Sequence, residues 1–128
     1  TFSDRLIIFF LHFGFFLKSY KNNSNKREIQ ELYDFVFKQL ELSIREIGYG
    51  DVSVNKKMKE YINLLYLIID KVELWDDSNF KEKSIFFSKF LDQSKDSSVY
   101  VNYFDKYRVY LSKKSFIYFT KGVINHKF

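Results

Sequence analysis

Glu46-Ile47-Gly48-Tyr49-Gly50-Asp51-Val52-Ser53-Val54-Asn55-Lys56-Lys57-Met58-Lys59 is the stretch on which the fold turns. Two long apolar patterns meet in it. Upstream, Ile29, Leu32, Tyr33, Val36, Leu40, Ile44 and Ile47 recur at three- and four-residue steps, which predicts a helix from about Lys26 to Ile47 with one continuous buried stripe. Downstream, Met58, Tyr61, Ile62, Leu65, Ile68, Ile69 and Val72 repeat the pattern and predict a second helix of similar length. Gly48 supplies the stop, because glycine after a last helical turn takes left-handed geometry without a side-chain penalty. Gly50 loosens the same corner, and Asp51 or Ser53 is placed to cap the helix that follows, with Met58 on its inward side. The two stripes predict an antiparallel helical pair.

Working outward, residues 4 to 20 read as a first helix whose apolar positions cover almost the whole circumference, so it is expected to be buried on several sides. Its apolar run is shorter than the roughly 20 residues that cross a bilayer, and His12 interrupts it. The polar run from Lys18 to Arg27 holds a turn, and Asn25 with Glu28 has the spacing of a capping box for the next helix. Beyond Trp75, Asp76 to Asn79 form a start signal for a fourth helix, around residues 79 to 92. Phe80, Phe86, Phe87, Phe90 and Leu91 lie on its apolar side, and Lys81, Glu82, Lys83 and Lys89 on its solvated side. A fifth pattern places Tyr100, Tyr103, Phe104, Tyr107 and Tyr110 or Leu111 on one face, with Ser98 as its cap. Phe116 to Phe128 reads as a short final helix weakened by Gly122 and Asn125.

The fold class is therefore all-α, a single compact bundle of about five long helices over residues 1–128, with a short C-terminal helix. Composition agrees: there is no proline, only four glycines, and 46% of the residues are hydrophobic. At 128 residues two independent cores are not expected. The absence of cysteine excludes thiolate chemistry and cysteine-based zinc sites, and His12 and His126 stand alone, so neither a metal nor a cofactor is expected. Dispersed carboxylates and two separated histidines specify no catalytic constellation. The net charge of +5 is lysine-rich and dispersed; it attracts an anionic surface weakly, and without an arginine-rich helix or RNA-binding motif nucleic acid is not an expected partner. The chain begins at Thr1, which leaves room for a preceding anchor or targeting segment.

Phe10-Leu11-His12, Glu31-Leu32-Tyr33-Asp34 with Phe37, and above all Ile44 to Lys59 carry a resemblance to the ubiquinol-cytochrome c chaperone family. The family pattern runs arginine-glutamate-leucine-glycine-variable-glycine-aspartate-variable-serine-valine-proline, then basic residues, methionine and lysine. Asn55 stands where proline is usual, and the resemblance holds over about residues 6 to 72. It implies a noncatalytic assembly factor for the cytochrome bc1 complex, acting on newly made or partly assembled cytochrome b or another assembly component. The implied location is the cytoplasmic face of a bacterial inner membrane or the cytoplasm, or the matrix side in a mitochondrion. The aromatic, Lys and Asn bias is compatible with an AT-rich alphaproteobacterial source. The competing reading is an unrelated helical adaptor at a protein or membrane interface.

Several residues have both a structural and a partner-binding reading. Gly48, Gly50, Asp51 and Ser53 read first as a structural corner, since a lone Gly-x-Gly lacks the longer loop and lysine of a phosphate site, with partner recognition as the alternative for Asp51. Lys56, Lys57 and Lys59 form a basic shoulder that can be plain solvated surface or meet an acidic client segment or an anionic membrane. Arg45 and Glu46 read as surface ion-pair residues, and Asp34 as an interruption facing solvent, with Tyr49 between the glycines; all four are also interface candidates. His12 is expected to be a hydrogen-bonded polar member of an aromatic core or, alternatively, a client-facing residue. Phe10, Phe13, Phe16 and Trp75 are core anchors or, alternatively, the lining of a client groove.

Overall fold

A computed structural model of the chain describes residues 2–91 and 96–114. Five α-helices follow one another: α1 (Phe2–Tyr20), α2 (Lys26–Ile47), α3 (Asp51–Glu73), α4 (Phe80–Phe90) and α5 (Ser97–Ser112), with a single 3-10 turn at Trp75–Asp77 between α3 and α4. This is an all-α bundle, and the bounds of α2 are those its periodicity predicts. The expected final helix from Phe116 lies outside the described residues.

The apolar residues sort the helices into two hairpins around α1. The α2–α3 pair and the α4–α5 pair each pack together, while α1 packs on both α3 and α5. Hence α1 needs apolar side chains all round: Ile7, Phe10, Leu11, Phe13, Phe15, Leu17 and Tyr20 are all buried. Gly14 faces α3, where a Cβ would meet Val72 at 3.5 Å, an ordinary van der Waals contact. Against α5, His12 meets Tyr103, Phe15 meets Phe104 and Tyr107, Ser19 meets Arg108 and Tyr20 meets Leu111. Both numbers rise together, so α1 and α5 run parallel. Near-parallel ring stacking links Phe15 to Phe104, Phe104 to Phe87 and Phe87 to Tyr100, carrying the core from α1 through α5 to α4.

Several local expectations are corrected. Asn25 does not cap α2 with its side chain. Its carbonyl oxygen accepts the Asn22 N–H and its amide donates to the Tyr20 carbonyl, so the buried side chain closes the end of α1 instead. The same Asn-x-x-Glu spacing does form a capping box at Asn79 and Glu82, where nothing diverts the asparagine. Neither Asp51 nor Ser53 caps α3: its N-cap is Gly50, with no side-chain bond. Asp96, not Ser98, caps α5, accepting the Ser98 N–H, and that bond holds its carboxyl below the usual range. Within α5 the buried stripe is Val101, Phe104 and Leu111, leaving Tyr103 and Tyr110 substantially exposed. Phe80, expected on the apolar side of α4, is exposed as well.

Candidate functional site

The corner between α2 and α3 is built from the ends of both helices. Gly48 has φ +105°, the left-handed conformation that glycine favours, and its N–H donates to the Arg45 carbonyl at 3.0 Å. Gly50 is different: with φ −73° and ψ 166° it lies in extended backbone open to any residue. Arg45 spans the corner. Its guanidinium donates to Asp51 Oδ1 at 2.6 Å and, with two nitrogens, to Glu41 Oε1 at 3.1 and 3.2 Å. These bonds push the guanidinium still further toward its charged form. Asp51 therefore ties the hairpin through Arg45, while its charge sits favourably in the first turn of α3.

Around this corner the sequence-predicted residues divide. Lys57 is engaged, with Nζ 3.3 Å from Glu60 and 5.7 Å from the centre of the Tyr49 ring. The Glu60 hydrogen bond raises the Lys57 ammonium above its ordinary pKa. Lys56, Lys59, Ser53 and Glu46 are exposed, and Met58 packs against the core from a half-buried position. Asp34 is exposed on α2 and accepts a bond from Gln30 at 3.0 Å. Ile47, expected to end the buried stripe, is instead 52% exposed, because Ile44 is the last α2 residue covered by the core.

The aromatic candidates lie elsewhere. Phe10, Phe13 and Trp75 are buried in the core, and half-buried Phe16 packs on the ring of Tyr20. His12 behaves as expected. A carbonyl can only accept, so Nδ1–H donates to Ile8 O at 2.7 Å, and in the neutral ring Nε2 accepts the Tyr103 hydroxyl at 2.7 Å. Its imidazole also packs against Phe104 and Tyr107.

Two polar clusters went unread in the sequence. Trp75 Nε1–H and Lys83 Nζ both donate to Asp105 Oδ1, at 2.9 and 3.0 Å, and the Lys83 ammonium lies 4.6 Å from the Trp75 ring centre. This corrects the placement of Lys83 on a solvated face. Arg108 donates to both oxygens of Asp76 and to Ser19 Oγ, while Lys18 reaches Asp76 at 3.7 Å and the Glu73 carbonyl at 2.7 Å. Arg108, then Lys18, hold the Asp76 carboxyl below its ordinary pKa. Burial pushes the Tyr107 hydroxyl up to about 12. Both clusters join helices distant in sequence, and the spacing of their members gave no local signal. Phe35 and Leu42 lie outside the predicted stripe of α2. Seven positions apart and 58% and 45% exposed, they lie on the outer side of α2, away from Val36 and Leu40. Off-stripe apolar residues at heptad spacing were the signal available.

Among the described residues no group of three or more acids and histidines is placed to hold a metal ion. Nor is any helix among them long and apolar enough to cross a membrane. The corner and the outer side of α2 carry exposed apolar and charged side chains. No curated protein and no solved structure matches the chain. The family model described as Ubiquinol-cytochrome C chaperone matches residues 1–74, which take in α1, α2, the corner and α3. By a match over more than half of its length, the chain belongs to the ubiquinol-cytochrome C chaperone family.

Proposed function

We propose that this protein is a noncatalytic assembly chaperone of the cytochrome bc1 complex that binds newly made or partly assembled cytochrome b. The observation that carries the reading is the family match over α1 to α3. The client contact is assigned to the outer side of α2, where Phe35 and Leu42 are exposed with Asp34, Lys38 and Glu46 on the same helix. Two apolar anchors within a charged rim suit a protein partner better than a solvated face, which gains nothing from them. Arg45 and Asp51 support this surface by holding the hairpin together.

The interior position of Phe10, Phe13 and Trp75 limits what the mechanism needs from them. They give α1 the rigidity to position α2 and α3, and the client meets the outside of the hairpin. Binding of this kind needs no nucleotide: it covers apolar client surface until the maturing complex offers better contacts. Its setting is the cytoplasmic face of the bacterial inner membrane or, in a mitochondrion, the matrix side.

The test is crosslinking and copurification from cells synthesising respiratory complexes, with cytochrome b as the readout. Phe35→Asp with Leu42→Asp is expected to weaken capture by about thirty-fold or more, the scale of an interface anchor lost, while helicity is unchanged. Normal bc1 assembly in a strain lacking the protein would refute the assignment, and binding of lipid or other proteins without respiratory components would favour the unrelated adaptor.

A further inference from the structure

The α2–α3 corner carries a second surface, formed by its tip. Ile47, Tyr49 and Val52 are 52%, 40% and 86% exposed, within six residues that join two helix ends. Behind Val52 on α3, Lys56 and Lys59 follow at steps of four and three and are exposed too, so one ridge of the helix runs from apolar at the tip to basic further along. At 1.5 Å per residue the two ammonium stems start about 6 Å and about 10 Å behind Val52. Neither lysine has an ion pair among the described residues. Of the other charges here, Arg45 is occupied by Asp51 and Glu41, and Lys57 by Glu60. Between residues 45 and 59 four cations stand against two carboxylates, Glu46 and Asp51.

We infer that this tip inserts into the headgroup layer of an anionic lipid bilayer, with Ile47, Tyr49 and Val52 as the wedge and Lys56 and Lys59 at the phosphate level. Three observations select lipid over a protein. The exposed apolar groups sit on the end of a helical hairpin, a convex point that cannot bury the roughly 800 Å² per partner of a stable protein interface. An interfacial element sinks about 5–10 Å, which is the distance from Val52 back to the lysines. Tyrosine and lysine, with polar ends on apolar bodies, suit that depth. The hairpin then stands end-on to the membrane with the outer side of α2 beside it. The inference rests on the chaperone reading only for its setting, because the tip and the proposed client surface share no residue except the rim acid Glu46.

The full chain is sedimented with vesicles of phosphatidylglycerol and phosphatidylcholine and with phosphatidylcholine alone. Binding is expected only to the anionic vesicles and is expected to fall with salt. Lys56→Gln with Lys59→Gln should weaken it about thirty-fold, and Val52→Ser about tenfold. All three residues are exposed, so helicity should be unchanged. Equal binding to both vesicles, or a double variant that binds like the parent, overturns the inference. Capture of cytochrome b in detergent separates the two proposals. Tip variants that lose vesicles and keep the client support the inference, and variants that lose both make the tip a protein contact and overturn it. A parent protein that binds anionic vesicles through Lys56 and Lys59 yet captures no cytochrome b supports the tip while refuting the client reading.

Discussion

Serine placed at each of the two corner glycines in turn should move stability in opposite directions. At Gly48 the backbone has φ +105°, and no neighbour lies within 4 Å of an added Cβ, so the cost is conformational alone. An L side chain held in the left-handed region costs about 1–2 kcal/mol, and this φ lies beyond the comfortable part of that region, which points to about 2. Restricting the unfolded chain returns about 0.4–1 kcal/mol, leaving Gly48→Ser destabilised by about 1 kcal/mol. At Gly50 the unfolded-state gain is the same, but φ −73° and ψ 166° suit serine, and no neighbour lies within 4 Å of its Cβ. Gly50 is moreover the N-cap of α3 and provides no side-chain bond, which a serine hydroxyl supplies for a few tenths of a kcal/mol. Gly50→Ser should therefore be stabilised by about 1 kcal/mol. For 128 residues 1 kcal/mol is about 4 °C in Tm, so thermal melts followed by far-UV circular dichroism should separate the variants by about 8 °C, one on each side of the parent. Because the unfolded-state term is shared, the gap measures the difference between the two folded backbones. Equal shifts, or a Gly50→Ser that melts below Gly48→Ser, would refute this account of the corner.

Phe104→Ala should destabilise by about 3–5 kcal/mol in urea unfolding, since the ring is fully buried and stacks between Phe15 and Phe87; a loss below about 1 kcal/mol would show that the two hairpins do not share a core through it. The acid limb of stability should depend on Asp76. Its folded pKa is lowered, so its contribution is fully present above the unfolded value of 3.8 and is lost as pH falls from there through the folded value. Asp76→Asn should flatten the urea midpoint over that window, and an unchanged slope would mean that Arg108 gains nothing from the charge.

The parts of the structure legible in sequence are those set by one helix and its own ends. The α2 stripe, the left-handed Gly48 and the crowding of α1 follow from spacing and from glycine's freedom, which need no knowledge of neighbours. Asn25 and Asn79 mark the limit. Each stands three residues before a glutamate, yet only Asn79 forms the capping box, because Asn25 is held by the end of α1 and the turn at Asn22. Asp51 was likewise readable as a polar residue at a helix start, but its use by Arg45 depends on the closure of the hairpin. The clusters at Asp105 and Arg108 are legible only once residues 22 to 89 positions apart have been brought together. Ile47 failed for a different reason: periodicity continues to the last residue of a helix, while cover from neighbouring helices stops before it.

Burial of the aromatic candidates has a consequence for how such a chaperone can hold its client. On the proposed reading, rings committed to the core cannot also cover cytochrome b, so a client meets exposed apolar residues outside it, among them Phe35 and Leu42 on α2 and the tip at Ile47, Tyr49 and Val52. A contact through the two α2 anchors alone is small and dissociates readily, which suits a factor that yields its client to the assembling complex. Weakness in solution is compensated if the second contact is the membrane in which cytochrome b resides. Apposition at the bilayer converts client capture into an encounter at high effective concentration, and the gain disappears once the client's surface is covered by other subunits. On this view the Gly48-Tyr49-Gly50 corner matters because it joins the two contacts. A hairpin turned at the left-handed Gly48 and bridged by the exposed Arg45–Asp51 pair can present the tip to lipid and the side of α2 to protein at the same time.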